Sequence, residues 1–586
     1  MEFSDWTSKT YKIIVNDKNY LSWEIYDSDT LIKIKREENI ELYKKINPVE
    51  QKLFSSDIFN FENGELNIIH SITRQMPHLS AVLHLKNNKT YGKIKDKFIY
   101  KCVPDDKRLP SFLVPYKNKT GFSKNILNKY VIIKYKNWDN KHPEGIIHET
   151  IGDVDKLSNF YEYQLYCKSL YSSIQNFNKD VSSKLKQKTE NEFIFNMIEK
   201  YNLVDRTSEK VFTIDSETTS DYDDALSIQE IPNTNTNTNT YRTKISIYIA
   251  NVPLWMEELN LWNSFSDRIA TIYLPDRKRP MLPLPLSNCV CSLCEGVTRL
   301  AFGIDLIIED SKIIDFKLVN CFIKVYKNHV YESKELKKDK NYNKMFKCLN
   351  EISKNYSYIS TIKYSTDFVS YLMIIMNYYT SREMVKFNTG IFRSVNFNKN
   401  FKKKDDLPLE VNNFLKFWNS SSGQYDLYDS LKCHEMLELE SYIHCTSPIR
   451  RLVDLLNMAK LQEKMKLIHF KNDFEKFYQK WTNKLDFINT SMRSIRKIQN
   501  DCSLLDLCSN DPEICKTIFD GYIFDKIIRN DGLYQFMVYI HKINIVSRIT
   551  LRKDLVEFCK YNFKVFMFQD EDSFKKKVRL YLVENE

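Results

Sequence analysis

Four aspartates, Asp215, Asp221, Asp223 and Asp224, fall within ten positions in the run Phe212-Thr-Ile-Asp-Ser-Glu-Thr-Thr-Ser-Asp-Tyr-Asp-Asp-Ala-Leu226. Charge of one sign packed this densely repels itself and calls for cations. Mg²⁺ takes a few carboxylates together with waters and substrate phosphates. Two such ions about 4 Å apart activate water and stabilise the leaving oxygen of a phosphodiester. An EF-hand loop does not fit. Counting from Asp215 puts Ser220 where glycine is needed and Leu226 where the bidentate glutamate is needed, and counting from Asp221 puts Ala225 at a ligand position. The bland alternative is a solvated acidic turn, since charge runs usually lie on the surface.

The elements that must position these carboxylates are partly readable. Val211 to Ile214 is apolar and β-prone, so Asp215 is expected where a strand ends. In a regular strand Asp221 and Asp223 share a face and Asp224 points away, so the four converge only if the backbone turns or bulges. Lys244 to Ala250 alternates at period two and predicts a strand. Phe368, Leu372, Ile375, Met376 and Tyr379 trace one helical stripe, and Ile488, Met492 and Ile495 another; both predict core. The Asn-Thr repeat Asn233–Thr240 and the charge run Lys402–Asp406 predict solvated loops.

Further on, Ser447-Pro448 reads as a helix N-cap followed by proline at the first helical position, with Ile449, Leu452, Val453 and Leu456 as its buried stripe. Arg450 and Arg451 then lie in the first turn, where cations oppose the helix dipole at a cost of a few tenths of a kcal/mol each. An anion at the same place, such as a phosphate held by free N–H groups and guanidinium forks, makes sense of them. The competing reading is that one arginine pairs with Asp454 or Glu440. Arg450 is assigned to phosphate and Arg451 is left open. His444 reads as a satisfied structural histidine.

The chain has 586 residues, room for three or four domains, with 42% hydrophobic residues and a formal net charge of +11. Aromatic residues at 13%, together with the positive charge, suit a surface that stacks bases and attracts phosphates, although the Asn- and Lys-rich composition weakens that argument. The start, Met1 to Trp6, has no basic, apolar signal peptide. The most apolar stretch, Phe368–Tyr379, is too short to span a bilayer. Thirteen scattered cysteines predict reduced thiols and a cytoplasmic protein, with the nucleus as the alternative. Cys289, Cys291 and Cys294 lack a fourth zinc ligand nearby and read as small buried side chains.

The aspartate run resembles the metal-binding signature of the ribonuclease II and ribonuclease R (RNB) family of 3′-to-5′ exoribonucleases. Two more segments match in order: Tyr273-Leu-Pro-Asp-Arg-Lys-Arg-Pro280-Met-Leu-Pro283 through Ser287, Cys291-Ser-Leu and Arg299, then Tyr442-Ile-His-Cys-Thr446-Ser447-Pro448-Ile-Arg450-Arg451 with Asp454. The resemblance implies Mg²⁺, with Mn²⁺ as a substitute, on Asp215, Asp221 and Asp224. It implies that Asp223 orients a second metal or the terminal ribose and that Arg450 meets the transferring phosphate. Tyr273 is expected to stack on the 3′-terminal base, and Thr446, Ser447 and Arg451 to contact RNA. The implied activity is processive hydrolysis of single-stranded RNA to nucleoside 5′-monophosphates. The expected partner is single-stranded RNA, with no membrane, a monomeric state and association with an RNA-decay complex.

The expected fold class is α+β: an RNB catalytic domain at 205–510 flanked by small OB-like barrels at 1–90, 91–155 and 511–586, with a helical linker at 156–204. Pro104–Pro110 and Trp138–Val154 resemble the second cold-shock domain of the eukaryotic exosome-type members, and the layout is nearest to those without an N-terminal endonuclease domain. Several positions depart from the family pattern: Tyr248-Ile-Ala-Asn251 for its His-Ile-Ala-Asp, Ser370-Tyr371 for its Glu-Glu pair, Leu452 after the paired arginines, and Met458-Ala459 for its later His-Arg. They motivate a second reading, a catalytically weakened RNA-binding scaffold or regulator. A DNA exonuclease is a third, disfavoured because the resemblance implies ribose recognition through the 2′-hydroxyl.

Overall fold

The computed structural model describes residues 9–62, 64–86, 89–117, 126–232, 241–356, 362–397, 403–420 and 423–583. Met1–Trp6, the repeat Asn233–Thr240 and Lys402 lie outside the described residues. Two compact units emerge: residues 1–171 with 274–276 and 498–586, and residues 172–273 with 277–497. Residues 498–510, expected in the catalytic domain, therefore cluster with the C-terminal strands, and residues 172–204 of the linker expected at 156–204 cluster with the central sheet.

In the second unit, side-chain alternation along the strand Tyr241–Ala250 gives the sheet two different buried faces. The odd positions Ile245, Ile247 and Ile249 join Phe302, Ile304 and Leu306 in an apolar core. The helix Ser365–Lys386 lays the expected stripe, Phe368 to Tyr379, against that core. The even positions build a polar network instead. Glu209 accepts hydrogen bonds from Lys244 Nζ (2.9 Å), the Tyr248 hydroxyl (2.6 Å), Ser227 Oγ (2.8 Å) and Arg206 Nη1 (2.6 Å). Asp305 accepts from Ser246 Oγ (2.6 Å) and Arg206 Nη2 (2.8 Å). Burial alone would raise the Glu209 carboxyl, but these bonds outweigh it and hold it at about 2.

The sheet is wound so that the aspartates meet at one end of it. The long strand Lys312–Val330 pairs antiparallel with Thr298–Glu309 and, further along, parallel with Val211–Asp215, which closes a ring of five strands. Val211–Asp215 and Asp224–Pro232 are antiparallel neighbours through Phe212 and Leu226. Asp215 ends one strand and Asp224 begins the next, so both sit at the same rim.

In the first unit Leu79–Leu83 pairs with both Lys129–Asn137 and Lys97–Pro104, which closes a five-stranded barrel with Phe112–Tyr116 and Glu144–Asp153. This barrel starts inside the stretch expected for the first one. What precedes it is a four-stranded sheet of Tyr11–Val15, Trp23–Asp27, Ile58–Glu62 and Glu65–His70. The C-terminal part is a five-stranded antiparallel sheet from Ile518 to Leu582. Among the described residues no helix is long and apolar enough to cross a membrane, and the cysteines are free thiols.

Gly303 lies across from Tyr248 on the polar face, where an added Cβ would stand 3.0 Å from Tyr248 Cδ1 and 3.3 Å from the Ile247 carbonyl oxygen. Gly303→Val is expected to destabilise the unit by about 1–3 kcal/mol through overpacking. Calorimetry would read this as a lowered melting temperature; an unchanged one would contradict the packing described.

Candidate active site

Each aspartate has a different employment. Asp223 is 4% exposed and is held at both oxygens: the Ile449 N–H donates to Oδ1 (3.0 Å) and Arg450 Nε to Oδ2 (3.1 Å). Its own carbonyl accepts from the Ala250 N–H at 2.8 Å. Asp221 is paired with Lys278 Nζ at 2.7 Å. Asp215 keeps one buried carboxylate oxygen, Oδ2, without a hydrogen-bond partner. Asp224 is the first residue of its strand, opposite Ile249.

The connection between the two strand ends is fastened by the second block. Lys278 Nζ also donates to Ser220 Oγ (2.7 Å), and Asn288 Nδ2 to the same oxygen (3.1 Å). The Tyr222 N–H donates to Ser292 Oγ (2.9 Å), and the Leu293 N–H to the Tyr222 carbonyl (3.0 Å). Tyr273 and Lys278 face each other in a two-stranded hairpin, Ile272–Tyr273 with Lys278–Arg279. The Tyr273 side chain is substantially exposed, as a stacking platform requires. Sequence reasoning assigned Tyr273 but missed Lys278, although register across this hairpin sets the two side by side.

The third block differs from its expected form. The helix runs Leu452–Lys464 with Arg451 as its N-cap in extended conformation (φ −136°, ψ 126°), so neither arginine lies in a helical first turn. Ser447 to Arg450 form an isolated turn instead. The chain then runs extended because the Thr271 N–H donates to the Arg450 carbonyl (2.9 Å) and the Leu452 N–H to the Ile269 carbonyl (2.9 Å). Pairing with this neighbouring segment outcompetes continuation of the helix through Pro448.

Thr446 and Ser447, expected to touch RNA, are buried. Ser447 Oγ accepts from Arg450 Nη2 (2.9 Å) and Arg451 Nη2 (3.2 Å), so it orients the arginines. Thr446 Oγ1 accepts from Asn377 Nδ2 at 3.4 Å. Arg451 is also taken up internally: its Nη2 donates to Asp454 Oδ1 (2.9 Å), which accepts the Ser447 N–H as well (2.8 Å). His444 Nδ1 is hydrogen-bonded to the Tyr425 hydroxyl (2.8 Å), and burial, helped by Arg451, holds the imidazole well below its ordinary range. The guanidinium that reaches the aspartates is Arg450, whose side chain is 42% exposed.

Of the departures from the family pattern, Tyr248, Asn251 and Tyr371 bond to groups other than the four aspartates and the paired arginines, and Leu452 takes part through its backbone N–H. Tyr248 belongs to the Glu209 network. Asn251 is buried and donates to Asn320 Oδ1 (3.0 Å) and Gln462 Oε1 (3.1 Å). The Tyr371 hydroxyl donates to the Tyr356 carbonyl (2.7 Å), Ser370 is exposed, and Leu452 is buried at the helix start.

Burial above all raises the carboxyls of Asp215, Asp223 and Asp224; neighbouring aspartates add to it and Arg450 opposes it, leaving each at about 7. Such a site suits a divalent cation, and the unpartnered Asp215 oxygen offers it a ligand. Among the described residues no three carboxylate, imidazole or thiolate groups form a finished ligand set. Mg²⁺ binds through one or two carboxylates and keeps waters and substrate phosphates. Of the crowded cysteines, all expected to be small buried side chains, only Cys291 is buried; Cys294 is half-buried and Cys289 exposed.

Unfolded, these carboxyls titrate near 4. Between about 4 and about 7 the folded protein therefore binds more protons than the unfolded chain, and the metal-free protein loses stability as pH rises through that window. Mg²⁺ is expected to raise the melting temperature at pH 8 and to change it little at pH 5. Equal shifts at both pH values would contradict a site built on these carboxylates.

Comparison with known proteins places this geometry. Residues 203–377 match the RNB domain, and residues 99–162 match the Dis3-like cold-shock domain 2. Ribonuclease R of Thermotoga maritima is 29% identical over 238 residues, 39% of this chain and 31% of that protein. The chain spans less than a third of the length of the first curated relatives it matches. The structure of Mycoplasma genitalium RNase R in complex with ribose methylated single-stranded RNA shares the fold, with a TM-score of 0.66 at 16% identity over 97% of this chain and 96% of that one. So does yeast Ssd1, a pseudonuclease, with a TM-score of 0.57 at 14% identity over 95% of this chain and 80% of that one. Fold alone is thus compatible with either a nuclease or a pseudonuclease. The aspartates and the Tyr273–Lys278 hairpin lie inside the stretch that matches the RNB domain, which follows the stretch that matches the Dis3-like cold-shock domain 2, and the arginine turn is brought to them from beyond it.

Proposed function

We propose that the chain is a 3′-to-5′ exoribonuclease that hydrolyses single-stranded RNA processively to nucleoside 5′-monophosphates. One observation carries this reading: Asp215 and Asp224 share a strand-end rim with Arg450, which is clamped by Asp223 and Ser447. Mg²⁺, when bound, supplies activation of water and charge stabilisation at the leaving oxygen. Asp215 and Asp224 would hold it. Arg450 presents a guanidinium fixed at Nε and Nη2, so it meets charge developing on the phosphate without reorganising. Tyr273 stacks on the terminal base. Ser447 fixes the position of Arg450 from inside, and Arg451 shares its hydroxyl.

Asp224→Asn removes one metal-ligand charge at constant shape. Decay of 5′-labelled single-stranded RNA in Mg²⁺ should fall more than ~100-fold, since metal stabilisation is worth several kcal/mol, while RNA binding persists. The parent should shorten the RNA from its 3′ end and release 5′-mononucleotides. A parent that binds RNA but leaves it intact in Mg²⁺ and Mn²⁺ is a scaffold.

Arg450→Lys keeps the charge and loses the planar fork. Single-turnover decay should drop steeply with little change in equilibrium affinity at fixed salt, the pattern of an interaction made mainly in the transition state. Collapsed affinity with a normal residual rate would make Arg450 a grip on RNA only.

A further inference from the structure

Lys278 stands inside the aspartate cluster in a way the reading above does not require. Its Nζ is 2.7 Å from Asp221 Oδ1 and 2.7 Å from Ser220 Oγ. The Asp221 side chain is 9% exposed and that of Lys278 25%, so this is not a solvated surface pair worth a fraction of a kcal/mol. Lys278 cannot easily swing away. Its backbone is paired to Tyr273 in the hairpin, and its ammonium also holds the Ser220 hydroxyl that Asn288 grips.

Counting charges around the cluster gives a definite result. Asp223 is met by Arg450, and Asp221 by Lys278. Among the described residues Asp215 and Asp224 have no ion-pair partner of their own; Arg450 acts on both from its place on Asp223, and the carboxylate of Asp215 acts on that of Asp224. Two negative charges remain, the charge of one divalent ion. An ammonium and a second metal ion would compete for Asp221, and the ammonium is covalently tethered.

We propose that Lys278 takes the place of a second metal ion, so that the RNA-free site binds a single divalent cation, on Asp215 and Asp224. Asp221 then serves through Lys278 as a positioning residue for the aspartate loop, in contrast to the ligand role expected from the sequence. This inference rests on the aspartate cluster being a metal site, but it does not require the protein to degrade RNA.

The test is the binding of Mn²⁺ to the full, chelator-treated chain without RNA, with free Mn²⁺ read by electron paramagnetic resonance. The wild type should bind one ion, and Asp224→Asn should lose it. Lys278→Met, which removes the charge at similar length, should bind two ions; Lys278→Arg should return to one. Two ions of like affinity in the wild type overturn the proposal, as does a folded Lys278→Met variant with unchanged stoichiometry and affinity. A wild type that binds no Mn²⁺ sinks the proposal together with the metal reading. One bound ion with no decay of RNA sinks only the nuclease reading.

Discussion

A single buried carboxylate joins the parts of this site. Asp223 receives the Ile449 N–H on one oxygen and Arg450 Nε on the other. These partners come from an isolated turn more than two hundred residues away in sequence. A carboxylate nearly sealed from water is costly unless its acceptors are filled, so the turn has one favourable place to go. Once it is there, Arg450 is aimed at the rim, Ser447 lies under it, and Asp454 ties Arg451 and the Ser447 N–H to the helix that follows. The site is assembled by satisfying buried charge.

The second constraint is the closure of the sheet. The strand Lys312–Val330 serves two partners, one antiparallel and one parallel, and this brings the end of one aspartate-bearing strand beside the start of the next. The alternation along Tyr241–Ala250 then separates an apolar face from a hydrogen-bonded ionic one. Tyr248 belongs to the latter, and its hydroxyl fills an acceptor of Glu209. What reads in the sequence as erosion of a motif is, at Tyr248 and Asn251, a buried polar group with its partners in place.

Much of this was legible in advance. Period-two and helical stripes identified the Tyr241–Ala250 strand and the Ser365–Lys386 helix because both bury one regular face. The apolar entry to Asp215 marked a strand end for the same reason. The arginine turn was misread because Ser-Pro favours a helix locally, whereas backbone pairing with residues 269–271 decides it, and that contact has no local signal. Lys278 was hidden because its significance depends on the register of a two-residue hairpin. The burial of Thr446 and Ser447 and the internal pairing of Arg451 were hidden because hydroxyls and guanidinium groups within a motif look the same whether they face a ligand or a neighbour. The first barrel boundary failed because Leu79–Leu83 serves two strands far along the chain.

The clamp on Asp223 also bears on how such a site can be lost over evolutionary time. Asp215 and Asp224 rest on the rim with no ion-pair partner of their own among the described residues, so a lineage can discard either one singly and relieve local repulsion. Asp223 and Arg450 do not drift independently, because losing Arg450 leaves a buried Asp223 oxygen unfilled and losing Asp223 leaves the Ile449 N–H without its acceptor. Decay of the chemistry should therefore begin at Asp215 or Asp224 and reach the Asp223–Arg450 couple last, as a joint replacement. A chain that has kept the couple but lost the rim aspartates is a recent pseudoenzyme, and one that has lost both together is an old one.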